Sequence, residues 1–203
     1  MKNCNKNLLR LICEKIPTLV IILSVSFGGL MAQEKAKQEV QKILRNEEKK
    51  QIVHQFFSAG CFNKTWEYLD KEKLSEEEIE NMIVCANASL YHWKKRKDRT
   101  TQNLSIAYWQ LARVYTVADK LNMAEDYANK CIDISVESKL SHFYIGYGYE
   151  ALARAFLKAE KMEQSRKYLD KAYQELDKID NKDNKNYLKS DLDNMKSDLN
   201  KKI

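Results

Sequence analysis

The sequence predicts an all-α protein, a stack of antiparallel helix pairs closed by a C-terminal helix. Three observations carry that expectation. The chain of 203 residues holds one proline and five glycines, so helix breakers are scarce. Apolar residues recur at three- and four-residue spacing over most of its length. The stretch LARVYTVADKLNMAEDYANK, from Leu111, returns without a gap as LARAFLKAEKMEQSRKYLDK, from Leu152, an offset of 41. The two copies share Leu111/Leu152, Ala112/Ala153, Arg113/Arg154, Ala118/Ala159, Lys120/Lys161, Tyr127/Tyr168 and Lys130/Lys171. A register kept through two helices and their turn marks a hairpin that cannot bury its apolar face alone and does so by stacking on a neighbour.

Residues 1–32 form a leader. A basic stretch followed by IPTLVIILSVSFGGLMAQ has the layout of a secretory signal with cleavage after Ala32. Gly28-Gly29 just ahead of Met31 reads equally well as a translated ribosome-binding site, with Met31 as the start. The apolar run from Ile16 is short and interrupted by Pro17, Ser24 and Ser26, marginal for a membrane span, and no stable span is expected if Met31 is the start.

Residues 33–60 read as one N-terminal helix carrying Val40, Ile43, Leu44, Ile52, Val53, Phe56 and Phe57, with Gly60 as its stop. Residues 61–180 form the repeat domain. It opens with a short helix bearing Trp66, Tyr68 and Leu69. Ser75 and Glu78 then match a capping box ahead of Ile79, Met82, Ile83, Ala86, Leu90 and Trp93. The two pairs follow: Leu104, Ala107, Tyr108, Leu111 and Tyr115 face Ala124, Tyr127, Ala128, Cys131 and Ile134. Tyr149, Leu152, Ala153 and Phe156 in turn face Tyr168, Leu169, Ala172 and Leu176. Residues 183–201 carry the narrow stripe Leu188, Leu192, Met195, Leu199 and read as a capping helix.

Charge does not point to nucleic acid. Of the formal +6, half sits in the first thirty residues, and the rest of the chain holds 31 basic against 28 acidic side chains. The one dense basic run, Lys94 to Arg99, reads as a solvated helix end, with binding of nucleic acid or an acidic partner as its alternative. Five cysteines without a CxxC spacing argue against a zinc or redox motif, and Cys61, Cys85 and Cys131 are expected as small buried thiols. His54, His92 and His142 have no ligand partner at helical spacing, and no phosphate loop or nucleophile elbow occurs. No cofactor, metal or catalytic activity is therefore expected.

The hairpins resemble the tetratricopeptide repeat, whose pattern runs W-x2-L-G-x2-Y, then A, F and A. Tyr108, Leu111, Ala112, Tyr115, Ala124, Ala128 and Cys131 carry the likeness in the first unit, and Tyr149, Leu152, Ala153, Phe156, Ser165, Leu169 and Ala172 in the second. The turns lack glycine, the closing proline is absent, and the offset exceeds the usual 34 by about two helical turns. ASLYHW, AYWQLARVY and GYEALARAF resemble a group of short bacterial repeat proteins of unknown function, over roughly Phe62 to Met195. That group lacks a long leader, so the resemblance favours a cytoplasmic protein, with export through residues 1–32 as the alternative.

The resemblance implies a right-handed α-solenoid, a scaffold for protein binding whose concave groove is lined by the first helix of each pair. Ile106, Trp109, Arg113, Thr116 and Val117 would line it from one unit, and Tyr147, Glu150, Arg154, Leu157 and Lys158 from the next. The expected partner is a protein or peptide, acidic or carboxylate-bearing, with a small acidic ligand as the alternative. Two arginines beside Trp109 and Tyr147 suit a carboxylate. Equally, Arg113 can pair with Glu150 and merely fasten one unit to the next.

Overall fold

In the computed structural model, which describes residues 27–202, every regular element is a helix. The leader features up to residue 26 lie outside the described residues. The described chain divides into two units, one through Lys50 and the other from Gln51.

In the first unit, α1 (Phe27–Arg45) is a single helix running through Met31 and Ala32. Its polar side chains pair along the helix, Lys42 with Glu39 at 2.8 Å, and Val40 is exposed. The N-terminal helix does not run to Gly60 as its apolar spacing predicts. It stops at Asn46, whose Oδ1 accepts the Lys49 N–H at 3.0 Å and caps a new helix, α2 (Glu47–Leu69). Glu47 and Glu48 in the first turn of α2 suit the positive end of its dipole. Gly60 therefore lies inside α2, and Trp66 shares that helix with Phe57. A mid-helix glycine costs only about 1 kcal/mol. Ser58 and Thr65 are buried on either side of it.

In the second unit, α3 (Glu76–Lys95) starts at the expected capping box: the Ser75 side chain accepts from Glu78 N–H, and the Glu78 carboxylate accepts from Ser75 N–H. Two hairpins follow, α4 (Thr101–Val117) with α5 (Leu121–Glu137), and α6 (His142–Lys158) with α7 (Met162–Asp177). The last helix is α8 (Lys182–Lys201). Consecutive helices pack on one another from α3 to α8, and α6 also touches α4 on one side and α8 on the other. Leu111, Leu152, Leu188 and Leu192 are fully out of water at these contacts. Each stabilises the fold by roughly 2 kcal/mol. The apolar stripe of α8 is buried, while most of its Lys and Asp residues face water; Asp191 is half-buried. No helix among the described residues is long and apolar enough to cross a membrane.

The offset of 41 reappears in the packing. Tyr115 stacks on Tyr127 at 5.4 Å, and Phe156 stacks on Tyr168 at 5.4 Å. Lys130 caps the Tyr127 ring at 4.8 Å as Lys171 caps Tyr168 at 5.1 Å. Both α4 and α6 end on a left-handed residue, Asp119 (φ 57°) and Glu160 (φ 59°). Behind each, the N–H of Lys120 or Lys161 returns to the carbonyl of Tyr115 or Phe156 at 2.9 Å, which closes the helix without glycine. The added length over a 34-residue repeat lies in the helices: α4, α5 and α6 each have 17 residues.

Gly146 and Gly148 are where α6 meets its neighbours. A Cβ on Gly146 would stand 2.6 Å from Leu188 Cδ2 of α8, and one on Gly148 2.5 Å from Ile132 Cγ1 of α5. Of the cysteines expected to be buried, only Cys131 is; Cys61 and Cys85 are half-buried, and all three are free thiols.

Candidate functional site

Helices α4 and α6 carry the candidate site, and their starts set its register. The Thr100 hydroxyl and Asn103 side chain form a reciprocal cap on α4, and the Ser141 hydroxyl accepts from Phe143 N–H at the head of α6. From those starts, Ile106, Trp109 and Arg113 fall on one stripe of α4, and Phe143, Tyr147, Glu150 and Arg154 on one stripe of α6.

Glu150 is the centre, with no exposed surface at all. Its Oε1 accepts from Arg154 Nε at 2.7 Å and from Arg154 Nη2, and lies 3.8 Å from Arg113 Nη1. Its Oε2 accepts from the Trp109 indole N–H at 3.2 Å. Burial alone would push this carboxyl up. The Arg154 and Arg113 charges, with the hydrogen bonds, more than reverse that and hold it below the usual carboxylate range. Arg154 gains in turn: burial works against its charge, but Glu150 outweighs burial and its pKa is raised. Arg113 is different. Burial pulls its pKa down, and Glu150 at 3.8 Å offsets that only in part.

Aromatic rings enclose this cluster. The Arg113 guanidinium lies 6.0 Å from the Trp66 ring centre and 5.7 Å from that of Trp109, and the two indoles are 5.6 Å apart. Trp109 meets Tyr147 edge-on at 5.0 Å, and Tyr147 meets Phe143 at 4.9 Å. The Tyr147 hydroxyl donates to Asp191 of α8 at 2.9 Å; burial, then the Asp191 charge, raises its pKa.

Beside Trp109 and Tyr147 opens a pocket of about 260 Å³, lined also by Phe143, Tyr144, Ile106 and Tyr187, and by the buried Ser105 and Cys131. Ser135 donates to the Cys131 carbonyl at 2.6 Å, so Ser105 is the donor in its 2.7 Å bond to Ser135. Burial pushes the Cys131 thiol up to about 11, so it stays protonated at neutral pH.

Five of the expected groove residues, Trp109, Arg113, Tyr147, Glu150 and Arg154, thus converge. Four do not join them: Val117 is exposed, and Leu157 packs against the apolar cluster of α7 and α8. Thr116 is buried and donates its hydroxyl to the Ala112 carbonyl one turn back at 2.8 Å, and Lys158 stands exposed at the end of α6. Trp66 and Asp191 join the site without being singled out in the sequence: one sits on a helix placed by its neighbours rather than by the repeat, the other within the Lys/Asp face of α8.

The basic run is strapped to α2. Arg96 stacks on Trp93 at 3.9 Å, bonds Asp98 at 2.7 Å and donates to the Ser58 hydroxyl at 3.0 Å. The Gln51 side chain spans the Lys95 carbonyl and the Lys97 N–H. Two helices also bring together histidines that have no partner on their own helix: His54 Nδ1 and His92 Nδ1 are 2.9 Å apart. His142 pairs with Glu175 at 2.6 Å. Among the described residues no group of three His, Cys, Asp or Glu side chains is placed to hold a metal ion.

Comparison of the chain with family models, curated proteins and solved structures gives no match.

Proposed function

We propose that the protein is a non-catalytic, tetratricopeptide-like interaction module that takes a protein or peptide partner on the face shared by α4 and α6. Arg113 carries this reading. It is a guanidinium beside two indoles, its side chain 20% exposed, with one acid at 3.8 Å that is already bonded to Arg154. A partner carboxylate would accept from Arg113 the paired hydrogen bonds that Glu150 accepts from Arg154 instead. Arg154 is the structural member of the pair. Binding of nucleic acid through the basic run has less support, because Arg96 is committed to Asp98, Ser58 and Trp93.

The test is selection from a random peptide library on immobilised protein, with Arg113→Ala as the control surface. Selected peptides should share an acidic residue and bind the variant at least about tenfold more weakly, a loss of about 1.4 kcal/mol. Failure to select any peptide, or equal binding to Arg113→Ala, would overturn the proposal.

A further inference from the structure

We propose that the pocket beside Trp109 and Tyr147 receives an uncharged aromatic side chain of the bound peptide, close to the acidic residue that meets Arg113. This rests on the peptide-binding reading and adds the anchor to it.

Four of the pocket's polar groups are already engaged, and its other two, the Tyr144 and Tyr187 hydroxyls, belong to a half-buried and an exposed side chain. The Trp109 N–H belongs to Glu150, the Tyr147 hydroxyl to Asp191, and the Ser105 hydroxyl to Ser135. The Cys131 thiol stands 3.4 Å from the Ser105 oxygen and 3.9 Å from the Tyr144 carbonyl. A carboxylate or ammonium entering here would lose water and meet at most a phenol hydroxyl in its place, so the pocket disfavours charge. The expectation of a carboxylate between Arg113 and Arg154 is thereby relocated: the anion belongs outside, at Arg113, and the ring inside.

Size agrees with that division. A dry cavity of ~150 Å³ suffices for benzene, so about 260 Å³ takes a phenyl or indole ring with the first carbon of its stem. Trp109 and Tyr147 present their rings to such a group while their polar ends are fixed by Glu150 and Asp191. Little ordering of the walls is then left for the ligand to bring about. Arg113 lies 5.7 Å from the centre of the Trp109 indole, which itself lines the pocket, and this puts a cation next to an apolar chamber. That charge complementarity favours an aromatic residue near an acid over a bare hydrocarbon.

Three probes separate the parts: N-acetylphenylalanine carries ring and carboxylate, its amide the ring alone, and N-acetylglycine the carboxylate alone. Binding to the full chain is followed by NMR shifts of the Ile106 and Tyr147 amides. Both ring compounds should saturate at millimolar concentration or below, and N-acetylglycine should not. Ile106→Trp, which fills the chamber, should weaken the ring compounds at least about tenfold, with an unchanged thermal melt. Should that variant melt early, Tyr187→Ala at the exposed rim replaces it, with a smaller loss expected. N-acetylglycine binding as tightly as the ring compounds, or ring compounds unaffected by either variant, would overturn the anchor. The peptide-binding reading would survive that result if library peptides still depend on Arg113. It fails by itself if ring probes bind but no peptide responds to Arg113→Ala.

Discussion

Trp109 and Glu150 occupy the same position in the two repeats, 41 residues apart, and hydrogen-bond to each other at 3.2 Å. The duplication is thus broken at the point where the hairpins meet. One copy supplies the donor and the other the acceptor, and the equivalent arginines, Arg113 and Arg154, divide the same carboxylate unequally.

That inequality predicts different costs. Arg154→Ala leaves Glu150 buried with a single cation at 3.8 Å, and the loss of a close partner in a buried pair should cost about 3 kcal/mol. Arg113→Ala keeps the tighter pair and should cost about 1 kcal/mol. Urea unfolding checks this, as a fall in midpoint at constant slope.

Acid should unfold the protein partly through Glu150. Its folded pKa lies below the unfolded value, so its stabilisation is complete above about pH 4.3 and disappears as pH falls through the lower folded value. Melting temperature measured from pH 6 to 2.5 should fall more gently for Glu150→Gln than for the natural chain. Glu78 and Asp98, held at about 2 by Lys71 and Arg96 respectively, add to the decline in acid.

His92 sets a second window. Burial, then its neighbour His54, lowers its folded pKa. Below about 6.5 the unfolded chain therefore binds the extra proton first, and stability falls as pH drops from 7 towards 5. Near the pair, the Lys95 ammonium lies 5.5 Å from the Tyr91 ring that meets His54 edge-on, and Arg96 is bridged to Asp98. Replacing His92 by Gln should flatten the melting temperature between pH 7 and 5.

Glycine is missing from turns that want it. Asp119 and Glu160 hold the left-handed region, which costs a side-chain-bearing residue about 1 kcal/mol or more. Glu160→Gly should therefore stabilise the protein by about 0.5 kcal/mol once the greater freedom of the unfolded chain is deducted. The same substitution at Asp119 should act alike, and calorimetry of each single variant is the check.

The repeat was legible because its signals are local: the Ser75 cap, the 41-residue register and the α8 stripe all appear in the structure where the spacing puts them. Gly60 misled because a glycine stops a helix only when the flanking turns have nothing to bury, and Ser58 and Thr65 are both buried. The capping Asn46, four residues from Lys50, was the better boundary signal. Within the site, Trp109, Arg113, Tyr147, Glu150 and Arg154 came from the resemblance, which put the first helix of each pair on the groove, and they converge because they lie on two helices of known phase. Trp66, Asp191 and the His54–His92 contact depend on how distant helices cross, and no periodicity along one helix encodes that. Thr116 shows the opposite limit: it has the right phase, but its hydroxyl reaches its own helix first.

Tyr147 stands between Gly146 and Gly148, each without room for a Cβ, one against α8 and the other against α5. A stack of helices opens from its ends, and the segment gripped from both sides is the last to let its amide hydrogens go. The middle of α6 should therefore show the slowest hydrogen exchange in the chain, and the ring that forms the pocket wall rides on that segment. Whatever enters the pocket meets a surface that stays put on the timescale of the visit, and selectivity there is set by shape rather than by accommodation.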